Sequence, residues 1–196
     1  MVVKEKSARG IDTIPLSSVF IENRDIFLKG EISTEVADEF CEQFIYLLRR
    51  GNDPIRVWIS SYGGSVIDGL RIYDLISSVK NIKVYTIAYG AAYSMAGLLL
   101  AAGTKGCRLM LPHTRLMLHP ATFVGGCSGK LSDIRAKSNM LEEYEEIINQ
   151  ILSKHSGLSV KKIIEDNSYD HFYTAEEAIK NGYCDRIACI DDLVKG

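Results

Sequence analysis

Short runs rich in β-branched and aromatic residues, DIFLKGEI, PIRVWISS and NIKVYTIAYG, take turns along this chain with stretches in which apolar residues return every three or four positions. The runs predict strands and the stretches predict helices. The first helix opens at Ser33 or Thr34 and turns Val36, Phe40, Phe44 and Leu47 to one side. Glu35 suits its positive start, and Arg49, Arg50 and Gly51 suit its end. The second, VIDGLRIYDLISSV, lines up Val66, Leu70, Tyr73 and Ile76, and the third is the apolar SMAGLLLAAG. Regular alternation of strand and helix predicts an α/β fold with parallel pairing.

Two more apolar strands, RLMLH and ATFV, lead through GGCSG into DIRAKSNMLEEYEEIINQILSKHSG. That candidate helix, about two dozen residues, is about twice the usual length, so it projects beyond a small domain. Ile134, Leu141, Tyr144, Ile148 and Ile151 form its stripe, and Glu142, Glu143, Glu145 and Glu146 a solvated flank. Near the C-terminus, Thr174 and Glu177 predict a capping box for AEEAIKN, with Gly182 as its stop.

Composition narrows the class. The 196 residues suit one domain, and 23 basic against 25 acidic side chains leave a formal net charge of −2, with no global pull toward nucleic acid or an anionic membrane. The charged start MVVKEKSARG lacks an apolar signal-peptide core, and MAGLLLAA is far below spanning length, so a cytoplasmic protein is expected. Cys41, Cys107, Cys127, Cys184 and Cys189 show neither a CxxC pair nor zinc spacing; reduced, mostly buried thiols and no metal or other cofactor are expected.

The chemistry concentrates where strands end. Ser94, between the strand IKVYTIAYG and an apolar helix, is either a plain N-cap or a nucleophile whose hydroxyl lies beside free backbone N–H groups. Gly63 and Gly64 in SYGG either make a tight turn or let a backbone N–H approach a reacting carbonyl oxygen. Neither GxGxxG nor GxxxxGK[ST] is present, and Ala92 and Ala96 flank Ser94 where a G-x-S-x-G elbow has glycines. A serine nucleophile needs a base. His155 and His171 read as surface or structural residues and His113 lies in the turn LPHT, whereas His119 emerges from RLMLH at a strand end, where a residue can face a cleft. No single acid stands out as its partner.

SYGG followed by GLRIYD, the block AYSMAG, AAGTKGCRLMLPHTRLMLHP and DHFYTAEEAIKNGYCD occur in the order and spacing of one family, and the chain resembles the ClpP-like serine peptidases over nearly its whole length. The resemblance implies a ClpP/crotonase-like α/β fold of repeated β-β-α units in one domain over 1–196, with an axial N-terminal segment at about 1–12 and a projecting handle helix at about 132–155. It implies Ser94 as nucleophile, His119 as general base, Asp170 as the carboxylate orienting it, and the N–H groups of Gly64 and Met95 as an oxyanion hole. Substrate would lie as an added strand between Tyr62–Gly64, Gly63 included, and the strand after the histidine, Val124 and Gly125 to Gly126. Stacked seven-membered rings, a tetradecamer in all, would enclose the sites, and an AAA+ unfoldase such as ClpX, ClpA or ClpC would feed them unfolded polypeptides. Nucleic acid and membrane are not expected partners.

The chain departs from that pattern in places. Tyr93 stands where a small residue is usual before the nucleophile, and Ala91 where a larger one is common; both imply a reshaped cleft. Pro120 follows His119 directly, and the segment to Asp133 is about two residues longer than usual. Ser168 and Tyr169 replace an acid and an arginine that help lock the rings together. A crotonase-like acyl-CoA enzyme, which does not need Ser94, His119 and Asp170 together, and a noncatalytic ring subunit are the competing expectations.

Overall fold

The computed structural model describes the backbone of residues 1–7, 10–123, 125–126 and 128–194. Strands β1 (Val2–Ser7) and β2 (Gly10–Pro15) pair antiparallel as a separate hairpin, followed by α1 (Leu16–Glu22). The body then runs β3 (Asp25–Ile32), α2 (Thr34–Arg49), β4 (Ile55–Gly64), α3 (Val66–Ser78), β5 (Val84–Tyr93), α4 (Met95–Ala101), β6 (Arg108–Met110) and β7 (Arg115–Leu118). After the long α5 (Leu131–Ser156) come α6 (Val160–Asp166), β8 (His171–Tyr173), α7 (Ala175–Lys180), β9 (Arg186–Ile187) and α8 (Asp191–Val194).

The strand order β3-β4-β5-β6-β9 is parallel throughout, as the alternation predicts. β5 is the pivot of this sheet. Its Thr86–Ala88 stretch pairs with β6, and its Ala91–Tyr93 end pairs with β7, which pairs antiparallel with β8. The far end of β5, still paired with β4 at Ser61–Ala92, therefore exchanges β6 for β7, whose pair with β8 forms a small annexe of the same sheet, and such divergence at the carboxyl ends of parallel strands is where α/β folds open crevices.

Helices α2 and α3 bury the faces their periodicity marks: Phe40, Phe44 and Leu47 on one, Tyr73 and Ile76 on the other. The Ser33 hydroxyl caps α2 by accepting from the Val36 N–H at 3.4 Å. Every residue of α4 is buried, so this helix is the centre of the core. The opposite sheet face carries a smaller cluster around Trp58, Ile87 and Leu109, and the Trp58 indole donates to Asp25 at 2.7 Å.

At 26 residues, α5 is about 39 Å long, and only its last turns pack into this body, through Asn149, Ile151 and Leu152. Its foot is fastened by Arg108, which pairs with Asp185 and donates to the carbonyls of His155 and Gly182, each at 2.9 Å. The capping box of α7 forms, Glu177 N–H to Thr174 at 3.2 Å and Thr174 N–H to Glu177 at 2.8 Å. Among the described residues no helix is long and apolar enough to cross a membrane.

The strand expected for ATFV does not form over its described residues, 121–123. β7 ends at Leu118, Pro120 has no N–H to give a ladder, and residues 121–123 are irregular, with Gly126 turning back to donate to the Phe123 carbonyl at 3.4 Å. Cys41 is half-buried, Cys107 and Cys184 are buried and Cys189 is exposed, all as free thiols, while Cys127 lies outside the described residues.

Candidate active site

β5 delivers Ser94 to the annexe in a conformation that its side chain does not favour. The residue has φ 54° and ψ −124°, a left-handed backbone that costs a non-glycine residue about 1–3 kcal/mol. Its N–H donates to the Met117 carbonyl at 2.7 Å, which ties the elbow to β7 two residues before His119. The plain-cap reading fails: the Ser94 hydroxyl makes no capping bond, and the helix closes instead through its carbonyl, which accepts from Gly97 at 2.9 Å and Leu98 at 3.2 Å. The N–H groups of Met95 and Ala96 lie ahead of those first bonds. A strand, a strained serine and a helix thus form a sharp elbow whose flanking residues, Ala92 and Ala96, are not glycines.

Gly63 and Gly64 do not make a turn. They are the last residues of β4, and each is glycine because something passes too close for a side chain. At Gly63 (φ 92°) a Cβ would sit 2.7 Å from the Ser94 Cβ and 2.8 Å from the Tyr93 carbonyl oxygen. At Gly64 (φ 152°) it would strike the backbone of Ile32, 2.7 Å from the nitrogen and 2.9 Å from the carbonyl carbon. The glycine pair lets β4 slide under the elbow.

These pieces share a cleft of about 800 Å³ that is lined by Gly63, Gly64, Ser94, Met95 and His119, among others. Residues Pro120 to Phe123 form one wall, while Leu141, Tyr144, Ile148, Asn149 and Leu152 of α5 form another. The sequence pattern marks Leu141, Tyr144 and Ile148 only as the apolar stripe of a projecting helix. That the stripe also walls the cleft follows from where the foot of α5 is fastened, which periodicity does not encode. At the deep end, Asn149 and Asn167 are buried; Asn167 accepts from the Tyr173 hydroxyl at 3.0 Å, and its Nδ2 has no partner.

Asp170 stands apart in the single chain. It is exposed, lies off the cleft wall and makes no hydrogen bond to His119. In the ladder between β7 and β8, Leu116 faces Tyr173, Met117 faces Phe172 and Leu118 faces His171; the pairing ends there, one residue short of His119 on β7's side and of Asp170 on β8's. Around Asp170, Tyr169 and His171 stack with centroids 5.9 Å apart, and the His171 Nδ1–H donates to the Asp166 carbonyl at 2.8 Å, which fits its structural reading. Gly125 is exposed and off the cleft wall, and Val124 lies outside the described residues.

The profile of the Clp protease family matches residues 8–191. The chain belongs to that family. It is 36% identical over 187 residues to the ATP-dependent Clp protease proteolytic subunits of Dehalococcoides mccartyi strains BAV1 and CBDB1, a match that covers 95% of this chain and 92% of each relative. By family it is a serine-type peptidase with the Clp protease α/β fold.

Proposed function

We propose that this Clp-family chain is a self-compartmentalising endopeptidase that hydrolyses unfolded polypeptides and short peptides at Ser94. The observation that carries the reading is the strained elbow: a left-handed serine with an unbonded hydroxyl, opening onto a cleft that also holds a histidine. Backbone strain retained at a residue whose side chain makes no structural bond points to a functional site.

In the proposed reaction the His119 imidazole takes the Ser94 proton as Oγ attacks the scissile carbonyl. The oxyanion that forms is held by the Gly64 and Met95 N–H groups. Collapse breaks the C–N bond, His119 hands its proton to the leaving amine, and water repeats the sequence on the acyl-enzyme. Asp170 acts through His119, fixing the tautomer and supporting the imidazolium; the β7–β8 register supports this pairing. Seating Asp170 needs only that the segments just beyond the two strands keep the ladder's direction, and packing of a second copy against Tyr169 and α5 would hold them so. We assign the assembly to stacked seven-membered rings in the cytoplasm, with the N-terminal hairpin at the axis and an AAA+ unfoldase supplying substrate; the names of the two relatives support the ATP-dependent partnership. The end of β4 at Tyr62–Gly64, past its last pairing with β5 at Ser61, is assigned to substrate as an added strand.

A fluorophosphonate probe tests the reading. It is expected to label Ser94 alone, and Ser94→Ala is expected to abolish labelling and lower peptide turnover by about 10⁶-fold, with Asp170→Asn lowering it by about 10⁴-fold. Turnover retained in Ser94→Ala, or label mapped elsewhere, overturns it.

A further inference from the structure

Tyr93, which occupies a place where a small residue is usual, does not stand alone. Across the sheet, Ser61 pairs with Ala92, Ala92 with Leu116 and Leu116 with Tyr173, and all four are buried toward the core. The next position on each strand must face the other way. Those positions hold Tyr62, Tyr93, Met117 and Phe172, with Tyr93 facing Met117 and Met117 facing Phe172 in the ladder. The rings touch edge to face, Tyr62 to Tyr93 at 5.4 Å and 66°, Tyr93 to Phe172 at 5.6 Å and 85°. Tyr62 is 75% exposed and Phe172 52%, so the row is an open aromatic strip.

This strip is continuous with the cleft, because Tyr62 lines both. It also ends at the nucleophile, since Tyr93 is bonded to Ser94. The scissile carbon must come to the Ser94 Oγ, so the two substrate residues joined there lie within about 4 Å, one residue's span, of the elbow. In an extended substrate their side chains point to opposite sides. One side is the deep lobe walled by α5; the other is the aromatic strip.

We infer that the strip of Tyr62, Tyr93, Met117 and Phe172 is a second specificity subsite, which takes an aromatic or large apolar side chain from the substrate residue across the scissile bond from the one held in the deep lobe. The inference rests on the peptidase reading above. Edge-to-face ring contacts and methionine–aromatic contacts are the chemistry that would select such a side chain.

The test digests an unfolded protein with the 196-residue chain and maps the cut sites by mass spectrometry. Paired fluorogenic peptides that differ only as Phe or Ala at that position are measured alongside. Wild type is expected to favour the Phe peptide in kcat/KM by roughly tenfold, and Tyr93→Ala to reduce that ratio to roughly twofold while the preference at the other flanking position stays. Tyr62→Ala, at an exposed site that folding does not need, is expected to lower the ratio in the same direction. An active wild type indifferent to Phe at both flanking positions overturns the subsite alone, as does an aromatic preference that survives both substitutions. Sedimentation run in parallel exposes the remaining alternative: a Tyr93→Ala change in assembly with unchanged cleavage preference assigns the strip to a second copy of the chain and overturns the subsite. A wild type that takes no fluorophosphonate label and cuts nothing overturns the peptidase reading, and the subsite with it.

Discussion

Two residues with side chains hold a left-handed backbone in the described chain, and they treat that strain differently. Arg24 (φ 64°) offsets it with its guanidinium, which donates to the carbonyls of Leu47, Gly51 and Asp53 at 3.0–3.2 Å and so knits α2 to the start of β4. Ser94 recovers nothing of the kind, and its position is held by neighbours that give way. Gly63 is the closest of them. Gly63→Ala is expected to push the elbow out of line and lower the rate of fluorophosphonate labelling at least 100-fold, the scale of a misplaced reacting group. Labelling at the wild-type rate in a folded Gly63→Ala chain would show that the close approach is not what sets the nucleophile. Ser94 and His119 were legible in the sequence as polar residues at strand ends, but φ is not written in a residue's identity, so cap and nucleophile could not be separated from local pattern alone. For Gly63 and Gly64 the sequence leaves open a tight turn or a backbone N–H near a reacting carbonyl oxygen; the close passage of Ile32 and Ser94, which rules out the turn, is not encoded in residue identity.

At the scale of elements, legibility followed length. The helices with three or more turns of periodic residues, α2, α3 and α5, stand where their stripes place them. β6, β8 and β9, of three, three and two residues, are too short to carry a period and owe their form to pairing. Ala121 to Phe123 carry strand-forming residues, but they follow a proline and pair with no strand among the described residues. The foot of α5 offers an element-scale prediction. The His155 ring is bonded to the Tyr73 hydroxyl at 3.2 Å, joining α5 to α3, and its pKa is held down from 6.5 to about 4 by burial first, then by Lys154 and Arg108. The folded chain therefore binds its proton less readily than the unfolded one. Stability from this group is complete above pH 6.5 and is lost as pH falls toward 4. Allowing for the ring's partial exposure, the loss is about 1–2 kcal/mol. Urea unfolding at pH 7 and pH 4.5 checks it. His155→Gln is expected to be less stable at pH 7 yet lose less on acidification, and an identical acid slope in both chains would remove His155 as the cause.

For the whole molecule, the decisive feature is how much apolar surface one chain leaves uncovered. Leu131, Met140 and Ile147 on the projecting part of α5 are exposed, and so is Tyr169 beside Asp170. Neither Ser168 nor Tyr169 can form an ion pair, while the Ser168 hydroxyl is turned inward to the Glu165 carbonyl at 3.0 Å. In the proposed assembly, a ring-to-ring contact built here would draw on apolar packing, with the stacked Tyr169 ring as its polar-tipped edge. Exposed charge pairs are screened beyond roughly 8 Å at physiological salt, whereas burial of apolar area is not weakened by added salt. The association of rings is accordingly expected to change little between low and high salt, and to loosen on dilution more readily than in charge-locked relatives. Asp170 links this to the chemistry: if the second ring seats it, specific activity per chain should fall on dilution in step with the double-ring fraction, and Tyr169→Ala should move both curves to higher protein concentration. Sedimentation velocity and peptide turnover over one concentration series decide it. Double rings that dissociate steeply with salt would assign the locking to other charges, and full activity in single rings would show that Asp170 reaches His119 without a second copy.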